Sequence, residues 1–579
     1  MGGVGREVLT LQLGHYTNFV GTHWWNIQDA ALCYDSDRSD TYSEINNNAL
    51  FREGQTLRGQ PTYTPRLILV DLKGSLSSLK QEGDLYGVSQ VMPALAWNGR
   101  LTVHKEDPVT KNQFLQQLNR LGAEAHSENV TSTTAQGAER SVSERTFDLT
   151  QGAQRLENSV RVWSDYLGVH LHPKTISLVQ QYNHDSTSNR FEAFGFGEKL
   201  LGDPVFLDDF EDRLHFYIEE CDYLQGFQVL CDLQDGFAGL ATKVVELLHD
   251  EYGGKAIFTC GFAPTSYLDT GSMATVYRLL NSVMGIVHLS SRSSAFCPMS
   301  LDSSFLRRKQ MTPILFPRVV YDASLSYHSS ALLATALETL SIPYRLQSNA
   351  LSLTQLTNAL TVSGRKVVTA SAAVPFAMRS TDTLPDVLAE QHAASPWTPL
   401  TPCGEVNAQC FAQSVVLRGV SREQQVGKLP PGVKGPSILH SCPTGEEVLD
   451  TFLQHHFPAA VRAVHLVQTP CKVTTPYPQI FSDSFNKWGQ LVGGSLSSRN
   501  AVESIPVLSA LQSTATTYHG LHALYQEVSR LNLQRFSTFF NAGTELDDFR
   551  EALEELRTLA QCYRLNFELD DLDDDSDEE

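Results

Sequence analysis

The sequence has no long apolar run, and we expect no secretory leader. None of its segments approaches the about 18 to 20 consecutive apolar residues of a membrane-spanning helix, and no signal-type segment precedes the first predicted strand. Gly2 follows Met1, but Arg6 stands where a myristoylation signal requires Ser or Thr. We therefore expect any membrane contact to be peripheral.

The cysteines and histidines do not follow the spacing of a metal site or of a disulfide framework. The ten cysteines are scattered singly and form neither a zinc-type spacing nor a compact disulfide framework, which favours a reduced, intracellular protein. The pairs His170/His172 and His455/His456 have no third ligand near them in the sequence, and no Ser-His-Asp order stands out. The sequence therefore predicts neither a metal site nor a hydrolase triad.

Basic charge is scarce. The chain has 44 Lys and Arg residues against 65 Asp and Glu, for a net charge of −21. Nucleic-acid binding needs basic surfaces against phosphate, so we expect no nucleic-acid partner. Part of the negative charge is local, because residues 569–579 read "LDDLDDDSDEE", which favours a solvated, solubilising tail over a docking peptide.

Strand-like and helix-like segments alternate along much of the chain. "REVLTLQLG" (6–14) predicts a strand that ends at a glycine and leads into a helix, and "RLILVDL" (66–72) predicts a buried strand. "ATKVVELLHDEYGGKAIFTCGF" (241–262) predicts a helix, a Gly-Gly stop and a further strand. This alternation predicts an α/β fold with a parallel sheet covered by helices on both faces.

One turn raises the question of a nucleotide site. "CDYLQGFQVLCDLQDGFAGLATKVVELL" (221–248) has the layout of a phosphate-binding loop, in which a strand or helix end turns into a helix. Such loops are rich in glycine, so that backbone N–H groups at a helix N-terminus can approach phosphate. Here the turn reads "LQDGFAGLA" (233–241), with only two glycines. The turn is therefore either a nucleotide site or the remains of one.

Three segments together resemble the tubulin superfamily. They are "REVLTLQLGHYTNFVG" (6–21), "YTPRLILVDLKGSL" (63–76) and "ECDYLQGFQVL" (220–230), and they match its first strand and loop, its third strand, and the helix before its glycine loop. The combination of "TLQLGHYTNFVGTHWWN", a long polar insert and "RLHFYIEECDYLQGFQ" resembles more specifically the Misato family of regulators of mitochondrial distribution and morphology. This resemblance covers nearly the whole chain and implies a tubulin-like fold.

The resemblance and the changes in amino-acid composition along the chain together predict six regions. We expect residues 1–120 to form the Misato segment II, tubulin-like N-terminal part, residues 155–350 to continue it, and residues 351–515 to form a smaller second α/β portion with Pro-rich loops. Residues 121–154 are polar and without period, which predicts a flexible insert. Residues 516–566 predict C-terminal amphipathic helices packed on the body, and residues 567–579 a disordered acidic tail.

The glycine turn departs from the tubulin pattern GGGTGSG. The matching positions keep Gly236 and Gly239, but Asp235 and Phe237 stand where phosphate should approach. A carboxylate beside phosphate is repulsive unless a metal intervenes, and a phenyl ring removes the space and freedom that glycine provides. If the turn is a relic, we expect Asp235 to cap the following helix, with Phe237 and Tyr16 filling part of the nucleotide space.

The first loop departs in the same way from the tubulin pattern GQCGNQ. It keeps Gly14 and Asn18, while His15 and the large Tyr16 stand between them. Tyr16 replaces a residue that is small and faces the nucleotide in tubulins.

Three further positions differ as well. The tubulin "DLE" on the magnesium side is matched by Asp71-Leu72-Lys73, so that a base replaces an acid. The helix that reads guanine through an asparagine is matched by residues 326–346 and offers Ser330, or Ser329 by a one-residue slip. The following helix, residues 351–360, places Gln355 near the position of a water-orienting acid.

Because these positions depart together, the resemblance implies a protein that does not hydrolyse GTP and needs no cofactor. Weak GTP binding without turnover stays open, since Lys73 could lie near a phosphate. The first function that the resemblance implies is a non-enzymatic regulator of mitochondrial fusion, morphology and distribution, which acts from the cytosol by peripheral contact with the mitochondrial outer membrane.

The implied partners are proteins of the outer membrane or the fusion machinery, with tubulin or chaperonin-related cytoskeletal proteins as further candidates. The alternative is a GTP-binding or GTP-hydrolysing tubulin-like protein that self-assembles head to tail or acts on microtubules.

Overall fold

The structure is a computed structural model and describes residues 6–32, 44–55, 61–83, 109–127, 156–186, 188–267, 271–306, 312–391, 395–402, 409–427, 436–493 and 501–565. The predicted flexible insert lies outside these ranges beyond residue 127, and so does the predicted acidic tail. Residues 121–127, which we assigned to the insert, continue a helix that begins at Gln113.

The strands and helices follow one another in the predicted alternation. The strands are β1 (Glu7–Leu13), β2 (Phe51–Gln55), β3 (Pro61–Pro65), β4 (Leu67–Lys73), β5 (Ile176–Asn183), β6 (Leu224–Asp232), β7 (Ala256–Ala263), β8 (Ala295–Ser300), β9 (Thr369–Ala373), β10 (Thr398–Pro399), β11 (Cys410–Arg418), β12 (Val461–Val467), β13 (Cys471–Lys472), β14 (Ser504–Ile505) and β15 (Val507–Thr514). The helices are α1 (His15–Asp29), α2 (Gln113–Ser127), α3 (Phe194–Leu201), α4 (Pro204–Glu219), α5 (Gly236–Glu251), α6 (Ser272–Arg292), α7 (Ser326–Leu340), α8 (Leu353–Leu360), α9 (Leu384–Glu390), α10 (Arg422–Gln425), α11 (Gly445–His456), α12 (Thr517–Ser529), α13 (Ser537–Phe540) and α14 (Leu546–Gln561).

A six-stranded sheet organises the first half of the chain. Its strands lie in the order β5-β4-β1-β6-β7-β8, and every neighbouring pair is parallel. One face packs against α1, α7 and α8, and the other packs against α3 to α6. All residues of β6 and β7 are buried, as expected for parallel strands covered on both faces. The predicted α/β class is therefore confirmed.

One element differs from the resemblance. We matched residues 220–230 to a helix before the glycine loop, and this is wrong, because Leu224–Asp232 is strand β6. The helix is the preceding α4, which ends at Glu219. A continuous buried run of nine residues forms a central strand here, since both of its faces meet covering layers.

A second, smaller sheet has the order β10-β9-β15-β11-β12. β15 is antiparallel to β9 and β11, whereas β11 and β12 are parallel. Helices α9 and α11 pack on one face, and α7 packs on the other. Helix α7 thus lies between the two sheets, and every one of its residues from Tyr327 to Leu340 is buried, because both sides of the helix are covered.

A cluster of buried charged side chains connects α7 to the second sheet. The Glu338 carboxylate accepts from the Arg345 guanidinium at 2.7 Å and lies 3.3 Å from that of Arg418 in β11. All three side chains are at most 3% exposed. Arg418 also donates to the backbone carbonyls of Thr469 and Pro470, both at 3.0 Å. The cluster therefore ties α7 to the second sheet and to the chain that follows β12.

The C-terminal helices pack on the outer side of α6. α14 is amphipathic, and its buried residues contact α6 and α12. Tyr563, after α14, is fully buried, and its hydroxyl bonds with the backbone of Val367 at 2.8 Å. The predicted packing of two amphipathic helices on the body is confirmed, with the short α13 between them.

Candidate nucleotide site

The sheet order itself points to a ligand site. From β1 the chain moves outward to β4 and β5 on one side and to β6, β7 and β8 on the other, so that the order reverses between β1 and β6. In open parallel sheets, ligands bind beyond the carboxyl ends of the strands at such a reversal. Gly14 follows β1 and Asp232 ends β6, so the first loop and the glycine turn meet at this point.

Asp232 occupies the N-terminus of α1. Its carboxylate accepts from the backbone N–H of Tyr16 at 3.0 Å and from the N–H and hydroxyl of Thr17, both at 2.7 Å. A Cβ on Gly14, whose φ is +134°, would lie 2.4 Å from the Asp232 Cγ. Glycine is therefore required for the close approach of this carboxylate. An anion supplied by the chain itself stands where a helix N-terminus would hold phosphate.

The ionisation of Asp232 reflects its burial. Burial raises its pKa from 3.8 to about 6, although the hydrogen bonds from Thr17 and Tyr16 oppose the rise. At neutral pH the carboxylate is therefore mostly ionised. Sequence reasoning missed both Asp232 and Thr17 as a pair, because they lie 215 residues apart.

Asp71, at the end of β4, is enclosed by donors. It accepts from the Asn18 amide at 3.1 Å, from the indole N–H of Trp163 at 2.7 Å and from the N–H of Leu72 at 2.7 Å. The imidazole of His15 lies 3.1 Å away. The structure thus brings together three predicted site residues, His15, Asn18 and Asp71, and adds Trp163, which sequence reasoning missed.

The pKa values of His15 and Asp71 are shifted in opposite directions. Burial alone would lower the pKa of His15, but the charge and hydrogen bond of Asp71 raise it above its ordinary value. Burial alone would raise the pKa of Asp71, but His15 and Asn18 hold it below its ordinary value. The Asp71 carboxylate is therefore ionised and already hydrogen-bonded within the protein.

Asp235 caps α5, as the sequence predicts. Its carboxyl accepts from the N–H of Phe237 at 2.9 Å. Burial, followed by the charge of Asp232, raises the pKa of Asp235 well above its ordinary value. Burial therefore disfavours the charged form of the carboxyl group that caps α5.

Aromatic residues cover the glycine turn. The N–H of Gly236 donates to the carbonyl of Phe191 at 2.9 Å, and a Cβ on Gly236 would meet the Phe191 ring at 2.8 Å. The ring of Phe237 is 1% exposed and packs edge-on against Phe191, with 5.0 Å between the centroids. Phe237 therefore contributes to the apolar core, together with Phe191.

The second glycine of the turn serves helix packing. A Cβ on Gly239 would lie 2.0 Å from the carbonyl oxygen of Phe194 in α3. Helices α3 and α5 therefore approach each other through backbone contact at this point. Close packing of the two helices therefore explains why this position is glycine, and no bound phosphate is needed to explain it.

Asn281 of α6 holds the turn in place and was missed by sequence reasoning. It is fully buried, and its amide donates to the carbonyls of Glu192 at 2.8 Å and Gln234 at 3.0 Å. Its oxygen accepts from the N–H of Phe194 at 2.9 Å. One side chain from α6 thus fixes both the turn and the start of α3.

The remaining predicted residues take different places. The Tyr16 hydroxyl donates to the hydroxyl of Ser329 at 3.0 Å, so the one-residue alternative, rather than Ser330, meets the first loop. Ser330 is fully buried beside Tyr166. Lys73 is exposed at the end of β4.

Gln355 lies apart from this site. It belongs to the first turn of α8, at the amino edge of the sheet, where its side chain accepts from the N–H of Ser352 at 2.9 Å. The capping box that it forms with Ser352 needs an amide or a carboxylate at this position.

The described residues include neither a cluster of metal-ligating side chains nor a membrane-spanning helix. Within the described ranges, no three side chains among His, Cys, Asp and Glu come together in a way that could hold a metal ion. No helix in the described parts of the chain is both long enough and apolar enough to cross a membrane.

Comparison with known proteins agrees with this geometry. The family model described as Misato Segment II tubulin-like domain matches residues 6–120, and the one described as Tubulin domain matches residues 153–346. Together with the sheet order and the site at its reversal, these matches define a tubulin-like α/β protein.

Known proteins are similar in sequence to this chain over nearly its whole length. Protein misato homolog 1 of Bos taurus is 50% identical over 565 residues, covering 97% of this chain and 98% of that protein. The Homo sapiens protein of the same name is 49% identical over 566 residues (97% and 99%), and Protein misato of Drosophila melanogaster is 30% identical over 578 residues (96% and 98%). The chain belongs to the Misato family.

Proposed function

We propose that this protein is a non-enzymatic, tubulin-like regulator of mitochondrial fusion, morphology and distribution. It acts from the cytosol at the mitochondrial outer membrane, by peripheral contact with proteins of that membrane or of the fusion machinery. Membership of the Misato family supports the mitochondrial role. The geometry of the candidate nucleotide site supports the absence of GTP turnover.

A single observation carries the second part of this proposal. Both helix N-termini that face the reversal of the sheet are capped by the protein's own carboxyl groups, α1 by Asp232 and α5 by Asp235. The anion-binding capacity of these termini is therefore used internally. A nucleotide would have to displace Asp232 from three hydrogen bonds before its phosphate could take that place.

Electrostatics oppose the displacement. A unit charge on phosphate at about 4 Å from an ionised carboxylate costs about 4 kcal/mol at an effective dielectric constant of about 20. Asp71 and Asp232 are both ionised at neutral pH, by the directions and causes given above. In a phosphate-binding loop, the same places are taken by backbone N–H groups that attract the ligand.

Nucleotide analysis of the purified protein tests this part directly. The protein is denatured and the released small molecules are chromatographed, with tubulin treated in parallel as the positive control. We expect no GTP or GDP from this protein and no GTP hydrolysis above a buffer blank. Stoichiometric nucleotide, or turnover that Asp232→Ala abolishes, would favour the GTP-binding alternative and refute the proposal.

The mitochondrial role has a separate test. In cells depleted of the endogenous protein, we expect altered mitochondrial morphology and distribution, restored by expression of the wild-type chain. High salt or alkaline carbonate should release the protein from isolated mitochondria, because peripheral contact is reversible. Unchanged mitochondria after depletion would refute the role, and resistance to both washes would refute peripheral attachment.

A further inference from the structure

A pocket of about 450 Å³ opens at the amino edge of the first sheet, opposite the candidate nucleotide site. It lies between the starts of β1, β6 and β7 and the first turn of α8. The side chains that give it its chemistry are Arg6, Tyr223, Gln225, Lys255, Ser352 and Gln355.

A buried amide fixes the geometry of this pocket. Gln225 is 5% exposed, and its amide group donates to the carbonyl of Arg6 at 2.9 Å. Its oxygen accepts from the N–H of Leu353, the first residue of α8, at 3.0 Å. One side chain therefore holds the chain before β1 and the N-terminus of α8 at a set separation.

The charged lining is entirely cationic. Arg6 and Lys255 line the pocket, and none of the described lining residues is acidic. The Lys255 ammonium donates to the carbonyl of Leu224 at 2.7 Å and lies 5.4 Å from the centroid of the Tyr223 ring. Glu7, which follows Arg6, is 6% exposed and accepts from the N–H of Tyr223 at 2.9 Å, so its carboxylate is occupied by the backbone.

The first turn of α8 adds to the positive field. The positive end of the helix dipole favours an anion at this terminus. Thr354, the second helical residue, is exposed and lines the pocket. The N–H groups of Ser352, Leu353 and Gln355 are already bonded within the protein. In a chain with a net charge of −21, the attraction for an anion therefore comes from Arg6 and Lys255, with the helix dipole behind them.

We propose that this pocket binds a small phosphate-bearing molecule, with Arg6 and Lys255 as its cationic contacts. Phosphate carries about two negative charges at neutral pH, which matches two cations beside the positive end of a helix dipole. The volume leaves room for an organic group beside the exposed ring of Tyr223. The proposal goes beyond the proposed function and does not depend on it, since the two sites lie at opposite edges of the sheet.

Equilibrium binding of pyrophosphate to the full chain, measured by calorimetry at low ionic strength, tests the proposal. We expect saturable binding of one pyrophosphate per chain. Lys255→Gln and Arg6→Gln should each weaken it about tenfold or more, because each removes a charge-assisted hydrogen bond. Lys255→Arg should retain binding within a few-fold.

The control variant is Lys243→Gln, on α5, where the lysine pairs with Glu246 at 2.9 Å away from the pocket. Its affinity for pyrophosphate should match that of the wild type. Unaltered melting temperatures exclude misfolding as the cause of lost binding. No saturable binding, equal weakening by the Lys243 and Lys255 variants, or citrate binding as tightly as pyrophosphate would each overturn the proposal.

Discussion

Replacement of Asp232 by asparagine should change how the stability of the protein depends on pH. The folded carboxyl has a pKa of about 6, against 3.8 for the ordinary group, because it is buried. A raised folded-state pKa means that this group stabilises the protein most at low pH and that the contribution is lost as the pH rises through about 6. Asparagine has the same shape and does not titrate.

The magnitude follows from the shift. From pH 4.5 to about 6, the folded carboxyl retains a proton that the unfolded chain has largely released. Wild-type stability therefore falls by about 1.4 kcal/mol per pH unit over about 1.5 units, or about 2 kcal/mol in total. As the pH rises from 4.5 to 8, the wild type should therefore lose about 2 kcal/mol of unfolding free energy through this group. Asp232→Asn, which cannot titrate here, should not show that loss.

Urea unfolding followed by circular dichroism at the two pH values measures this difference. The same comparison in an Asp235→Asn background isolates Asp232, because the charge of Asp232 also raises the pKa of Asp235. Asp250→Asn, at an exposed position of α5, provides the matched control and should show no such shift. Parallel stability curves for Asp232→Asn and wild type would refute the reasoning about buried charge.

Three further changes should lower stability, each measurable by urea unfolding. Asp235→Ala should cost about 0.5–2 kcal/mol, the usual loss of a helix cap, and an unchanged midpoint would contradict the capping role. Gly239→Ala should cost about 1–3 kcal/mol through overpacking, since its Cβ would lie 2.0 Å from the Phe194 carbonyl; a neutral effect would show that α3 can move. Glu338→Gln should cost about 3–5 kcal/mol by leaving Arg418 buried without a counter-charge, which a stable variant would disprove.

The parts of this structure that local patterns encode were accessible from the sequence. The Asp235 cap depends on a contact two residues away, and an aspartate before a glycine and an apolar helix is a typical helix start. The parallel sheet follows from the alternation of strand and helix patterns. Helix α7 was predicted through residue 346 but ends at Leu340, because Pro343 cannot continue a helix.

The contacts that decide the character of the site are long-range. Asp232 meets Thr17 across 215 residues, and Trp163 meets Asp71 across 92. No periodicity relates such positions, since they are brought together only by the order of strands in the sheet. One signal was present for Asp232, an acid at the end of a fully buried strand, but assigning residues 220–230 to a helix concealed it.

The Glu338 cluster has a consequence for how the two sheets can move relative to each other. Any hinge motion of the second sheet about α7 would separate the buried Arg418 guanidinium from the Glu338 carboxylate. Separating a buried ion pair is costly, so the two sheets should turn as one rigid block. We therefore expect the exposed faces of the two sheets to keep one relative orientation, whatever binds to either of them.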